Sequence, residues 1–99
     1  MIARHWRGLA KSERAAEYIQ HLRSDTFPNL STIAGFIDAA ILRRTLDAGI
    51  EFVIVTRWKS LDAIRAFAGA DVERAVVPDV VKEMLIEYDS SARHYEVLG

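Results

Sequence analysis

Ninety-nine residues and 11.2 kDa allow one domain, because a second core would leave each half below the size at which a disulfide-free chain usually folds alone. Thirteen Lys and Arg against 14 Asp and Glu give a net charge of −1, so the broad positive field of a nucleic-acid binder is missing. With no cysteine, a disulfide framework, a thiolate nucleophile and a Cys-based zinc site are all excluded.

Of the hydrophobic residues 14 are alanine, so the large apolar side chains available to a core are few. Charge at Arg4 and Arg7 interrupts the N-terminus too early for a signal peptide, and no run approaches the ~18 apolar residues of a membrane span. A cytoplasmic protein with no membrane or nucleic-acid partner is expected.

Ile2 to Leu9 mixes β-branched, aromatic and long side chains in short alternation and reads as a first strand ending near Gly8. Ser12 is placed as an N-cap for an amphipathic helix from Glu13 to about Ser24, on which Ala15, Tyr18, Ile19 and Leu22 recur at helical spacing. Asp25-Thr26-Phe27-Pro28 is expected to end it. A short piece through Leu30 and Ile33 leads to Gly35 and a second strand from Phe36 to Leu46.

Asp47-Ala48-Gly49 reads as a hairpin turn, with glycine supplying a positive φ, into a third strand from Ile50 to Trp58. Ser60 caps a second helix over Leu61 to Ala68, with Gly69 as its stop and Asp71 to Ala75 as a further turn. After Pro78, Met84 to Val97 reads as a final strand, with Ser90-Ser91 as the place for a bend. The order βαββαβ is the ferredoxin-like arrangement: an α+β fold with a four-stranded antiparallel sheet and helices on one face.

The middle strands break the usual alternation of such a sheet. Phe52 and Ile54 oppose Val53 and Val55, while Phe36, Ala40 and Leu42 oppose Ile37, Ala39 and Ile41, so both faces look built for burial. At ~25 cal/mol per Å² of apolar surface, a second sheet covering the free face recovers several kcal/mol. A homodimer packed sheet to sheet is the simplest partner; the chain's own loops are the other candidate cover.

The element order, the first strand Ile2-Ala3-Arg4-His5-Trp6-Arg7-Gly8, the junction Thr56-Arg57-Trp58-Lys59-Ser60-Leu61-Asp62-Ala63 and the closing His94-Tyr95-Glu96-Val97 resemble the antibiotic biosynthesis monooxygenase-like family along the whole chain, 1–99. The resemblance implies a dimeric α+β barrel with one pocket per subunit between the sheet and its own helices. It also implies a cofactor-independent monooxygenase of a small aromatic or enolisable compound, or a non-catalytic small-ligand-binding or stress-associated barrel.

The heme-degrading branch of that family uses a first-strand Asn, a second-helix Trp and a His ten positions later. Alignment puts His5, Phe67 and Val77 at those three places, and a valine offers no ligand to iron. Heme degradation is therefore not expected, and neither a bound cofactor nor a metal is expected.

His5 shares a strand face with Ala3 and Arg7, and the alignment turns that face into the pocket. There His5 is the candidate base, able to take a proton from a phenol near neutral pH, and Arg7 the candidate anion stabiliser. The bland readings are a hydrogen-bonded strand histidine and a solvated arginine. Arg4 and Trp6 fall on the opposite face and are assigned to the dimer interface. Trp58, Phe67, His94 and Tyr95 are candidates for substrate binding, against packing or strand-closing roles for Trp58, His94 and Tyr95. His94 and Glu96 supply two donors on one face where a stable metal site wants at least three.

Overall fold

The computed structural model describes all 99 residues, Met1–Gly99. β1 (Ile2–Ala10), β2 (Phe36–Leu46), β3 (Gly49–Trp58), β4 (Leu85–Tyr88) and β5 (Arg93–Glu96) form one antiparallel sheet in the order β2-β3-β1-β4, with β5 also on β1. Helices cover one face of it, giving the ferredoxin-like α+β arrangement.

The final strand expected from Met84 to Val97 is two strands sharing one edge of β1. β4 pairs with Gly8–Ala10 and β5 with Ile2–His5. The break falls around Ser90-Ser91, and its backbone groups are taken up by the loop after the second main helix. Ala75 N–H donates to the Ser90 carbonyl at 3.0 Å and Ala92 N–H to that of Glu73 at 2.7 Å. A strand can be interrupted here because another segment satisfies its hydrogen bonds.

The first helix also runs differently. Ser12 lies inside an opening 3₁₀ turn, Ser12–Arg14, and caps nothing; α1 (Ala15–His21) follows. The chain then passes through a π-helical turn, Leu22–Thr26, into α2 (Phe27–Leu30) without stopping at Asp25. Pro28 sits in the first turn of α2, where a missing N–H costs little. In a regular helix its ring would press on the carbonyl four residues back, that of Ser24, and the wider π turn makes room for it.

α3 (Leu61–Ala68) follows its sequence signals. Ser60 Oγ accepts from Ala63 N–H at 3.2 Å, and Gly69 ends the helix at φ +88°. A short α4 (Asp79–Lys82) after Pro78 was not foreseen. The β2–β3 turn is the two residues Asp47-Ala48, and Gly49 does not supply a positive φ. Glycine is needed there because a Cβ would meet the Ala10 carbonyl oxygen at 2.4 Å.

The helix side of the sheet carries the core in two clusters. One joins Tyr18 and Leu22 of the first helical stretch to Phe52, Ile54, Met84 and Leu85; the other joins Leu30, Trp58, Ile64 and Ala68. Trp58, Phe52 and Ile64 are fully buried, each contributing ~1.5–3 kcal/mol by burial.

A bulge between Phe36 and Asp38 corrects the face assignment on β2. Phe36 pairs with Trp58 on the helix side, with Ala39 opposite Thr56 and Ile41 opposite Ile54, so Phe36 does not share a face with Ala40 and Leu42. One extra residue shifts every side chain before it to the other face. The remaining face, with Ala40, Leu42, Val53 and Val55, is covered by no element of this chain: Ala40 and Leu42 are exposed and the valines half-buried.

Candidate functional site

The two core clusters leave between them a cavity of about 220 Å³. Its floor is the sheet, through Arg4 and Trp6 of β1 and Ile54 and Thr56 of β3. Its roof is the first helical stretch, through Tyr18, Leu22 and Phe27, and its remaining wall is Phe67 of α3 with Val76, Val77 and Pro78. The π turn sets part of this roof, because it brings Leu22, Asp25 and Thr26 to the lining together. The volume lies below the ~300–1,000 Å³ of drug-sized sites and suits a compact molecule.

The wall is mainly apolar, and its polar groups are few. Trp6 presents its ring, with Nε1–H donating to the Asp89 carbonyl at 2.8 Å, and Gly8 lies against that ring where a Cβ would come within 2.8 Å of it. Thr56 Oγ1 accepts from Trp58 Nε1 at 2.9 Å, which leaves its own hydrogen free to donate. Tyr18 packs edge-on to Phe52 at 5.0 Å, and burial pushes its hydroxyl well above the usual phenol range. Asp25 is the acidic side chain of the wall; it stands at the rim, 59% exposed, and accepts from Asn29 Nδ2 at 3.2 Å.

Arg4 is the cation of the lining and is 4% exposed. Nη1 donates to the Val72 carbonyl and to His94 Nε2 at 2.9 Å, and Nη2 donates to the Arg74 carbonyl at 2.7 Å. The guanidinium lies 5.6 Å from the centre of the Phe67 ring, which covers one of its faces. Burial lowers its pKa with no acidic neighbour to offset the effect, yet a guanidinium stays charged. Because Arg4 has only donors to offer, His94 Nε2 must be the acceptor, and its ring proton sits on Nδ1. Burial, then the Arg4 charge, push the His94 pKa down against a smaller opposing pull from Glu73.

The face of β1 expected to line the pocket is the wrong one. His5 and Arg7 point to the open side of the sheet, while Arg4 and Trp6, assigned to an interface, line the cavity. A strand alternates every residue, so a slip of one position in an alignment reverses every side chain. His5 instead meets Tyr95 edge to face at 5.1 Å. Arg7 is committed to carboxylates, with Nε on Glu51 at 2.7 Å and Nη1 near Glu87 at 3.4 Å. Glu51 also accepts from Arg44 Nε at 2.5 Å, and these two guanidinium groups, Arg44 foremost, hold it at about 2.

Of the four residues offered for substrate binding, Phe67 lines the cavity. Trp58 is fully buried behind it, with the rings stacked at 6.2 Å. Tyr95 is on the open face and 50% exposed, and His94 backs Arg4 without forming part of the wall. Val77 and Phe67, the positions aligned with the heme-degrading branch, both line the cavity and give it no donor to a metal. No group of three His, Asp or Glu side chains converges anywhere in the chain. Arg4 was missed through the face assignment alone, because β1 carries Arg4, His5 and Arg7 on its two faces and its sequence does not say which face meets the helices. No helix is long and apolar enough to cross a membrane.

Residues 1–78 match the family model described as antibiotic biosynthesis monooxygenase. Three solved structures of proteins named as candidate antibiotic biosynthesis monooxygenases share the fold. The Nitrosomonas europaea protein has a TM-score of 0.70 at 16% identity, covering 100% of both chains. The Deinococcus radiodurans protein has a TM-score of 0.69 at 18% identity, covering 100% of this chain and 94% of that one. The Bacillus cereus protein has a TM-score of 0.66 at 19% identity, covering 96% and 89%. No curated protein sequence matches the chain.

Proposed function

The chain belongs to the antibiotic biosynthesis monooxygenase family, and from that membership we propose that its cavity takes a compact aromatic or enolisable molecule and oxygenates it without a bound cofactor. The observation that carries the reading is an aromatic-walled cavity with a buried cation, Arg4, on its floor. The walls of Trp6, Phe27 and Phe67 suit a flat ring, and apolar burial supplies the binding energy.

In this reading the substrate is its own reductant. Loss of a proton from an enol or phenol gives an anion that passes one electron to dioxygen. The substrate radical and superoxide then join through a new C–O bond, and after protonation the hydroperoxide loses water to leave a carbonyl. A cation beside the substrate oxygen stabilises the first anion. Asp25, at the rim, takes the proton in place of His5, which lies across the sheet.

Oxygen uptake with a panel of dihydroxyaromatics in metal-free buffer tests the reading. Uptake that depends on protein and is lost in Arg4→Gln is expected; ligand-induced stabilisation with no uptake across the panel overturns it. That second result is what a non-catalytic binding barrel gives, a reading favoured by the lack of any imidazole on the cavity wall.

A further inference from the structure

We propose that the ligand of this cavity is held as an oxyanion, a carboxylate or an enol or phenol ionised in place, with its charged oxygen against Arg4. The inference rests on the cavity being the ligand site and adds the charge state of what it takes.

Arg4 is the buried arginine of the chain, and it is without a carboxylate. Arg7, Arg14, Arg44, Arg57 and Arg65 each pair with Asp or Glu, all of them nearer to solvent, where such a pair is worth little. Burying a charge is costly unless an opposite charge and hydrogen bonds accompany it. Here the carbonyls of Val72 and Arg74, the neutral His94 ring and the Phe67 face supply dipoles and no negative charge.

The same partners orient what remains. Three N–H groups of Arg4 are used, and its Nε–H has no acceptor in the chain. Since Arg4 belongs to the cavity lining, a ligand oxygen there meets a guanidinium fixed in advance by its other bonds, in a surround where charge-assisted hydrogen bonds are strong. His94 contributes by staying neutral, because its Nε2 lone pair is occupied by Arg4. The carboxylate of the wall, Asp25, is at the exposed rim and bonded to Asn29, so it does not neutralise Arg4.

The experiment compares 2-naphthoate with its isosteric amide by calorimetric titration, and follows 4-nitrophenol by absorbance at a pH where the free compound is largely protonated. Either naphthoate binding at least about tenfold more tightly than the amide, or nitrophenol bound as the phenolate, is expected; the first identifies a carboxylate source, the second an ionised hydroxyl. Arg4→Gln should bring the anion-to-neutral ratio to about one and Arg4→Lys should restore part of it. The wild-type ratio decides the matter even if Arg4→Gln folds poorly. Equal or tighter binding of the amide with nitrophenol held as the neutral phenol overturns the inference, and so does failure of every probe to bind. Oxygen uptake is read separately: anion binding without uptake overturns oxygenation and keeps this site.

Discussion

Arg4 and His94 stand opposite each other in the β1–β5 ladder, and Arg4 Nη1 donates to His94 Nε2 at 2.9 Å. The bond needs a neutral imidazole, and burial together with the Arg4 charge hold the His94 pKa below its ordinary value. An unfolded chain therefore takes up this proton before the folded one does. The His94 contribution to stability is fully present above the ordinary histidine pKa of ~6.5 and is lost as pH falls through the lower folded value. Urea midpoints at pH 7.5 and 5.5 should differ less in His94→Gln than in the wild type. An equal fall in both proteins would show that His94 is not a group that couples pH to folding here.

His5 gives the opposite expectation. It lies across the sheet from the cavity and packs on Tyr95, so His5→Ala should leave ligand binding and oxygen uptake within about twofold of wild type and stability within about 1 kcal/mol. A large loss of uptake with normal folding would return the proton-accepting role to His5 and displace Asp25.

The contrast between Arg4 and His5 shows what periodicity reveals. Alternation located β1 and the Ser60 cap located α3, because both signals are local. Neither tells which side of a strand meets the helices: Arg4-His5-Trp6-Arg7 puts a cation and an aromatic ring on one side and two cationic or titratable groups on the other, and only packing chooses. Pro28 looked like a stop because proline ends a regular helix, whereas here the chain widens into a π turn over Leu22–Thr26, with Phe27 N–H on the Leu22 carbonyl, before reaching it. The interruption between β4 and β5 depends on Glu73 and Ala75, distant in sequence, satisfying its backbone.

Val77 tests the cavity by volume. It lines the wall half-buried, so Val77→Phe adds bulk into open space and avoids the strain of a filled core. The melting temperature should stay level or rise, while ligand-induced stabilisation falls at least about tenfold in effective affinity. Unchanged ligand binding in a folded Val77→Phe protein would place the ligand elsewhere.

Gly49 and Gly69 separate two uses of glycine. A methyl group at Gly49 meets the Ala10 carbonyl oxygen at 2.4 Å and Ile86 Cδ1 at 3.0 Å, so the central strand pair must shift; Gly49→Ala should cost ~1–3 kcal/mol. At Gly69 there is open space and the obstacle is the backbone, φ +88° with ψ −170°, a region essentially reserved for glycine, for which ~1–3 kcal/mol is the scale. Denaturant unfolding should show both Gly49→Ala and Gly69→Ala destabilised; an unchanged midpoint for Gly49→Ala would mean that the β1–β3 contact yields easily, and one for Gly69→Ala that the helix end relaxes to an ordinary backbone conformation.

The open sheet face predicts the oligomeric state. Val53 and Val55 form an apolar centre with Ala40 and Leu42, and no loop of the chain covers them. The charges around them are paired within the chain: Glu51 with Arg7 and Arg44, Glu87 with Arg7, and Asp38 with Arg57. A second copy can therefore approach about a twofold axis without meeting like charge, and the fully apolar contact at the centre is what a stable interface needs. Light scattering at micromolar concentration should give twice the chain mass for the wild type. Val55→Arg places a cation at the middle of that contact while pointing away from the chain's own core, so it should give the monomer mass with the same circular dichroism. A wild-type monomer would leave the apolar face to some other cover, and a Val55→Arg dimer would move the interface away from the sheet.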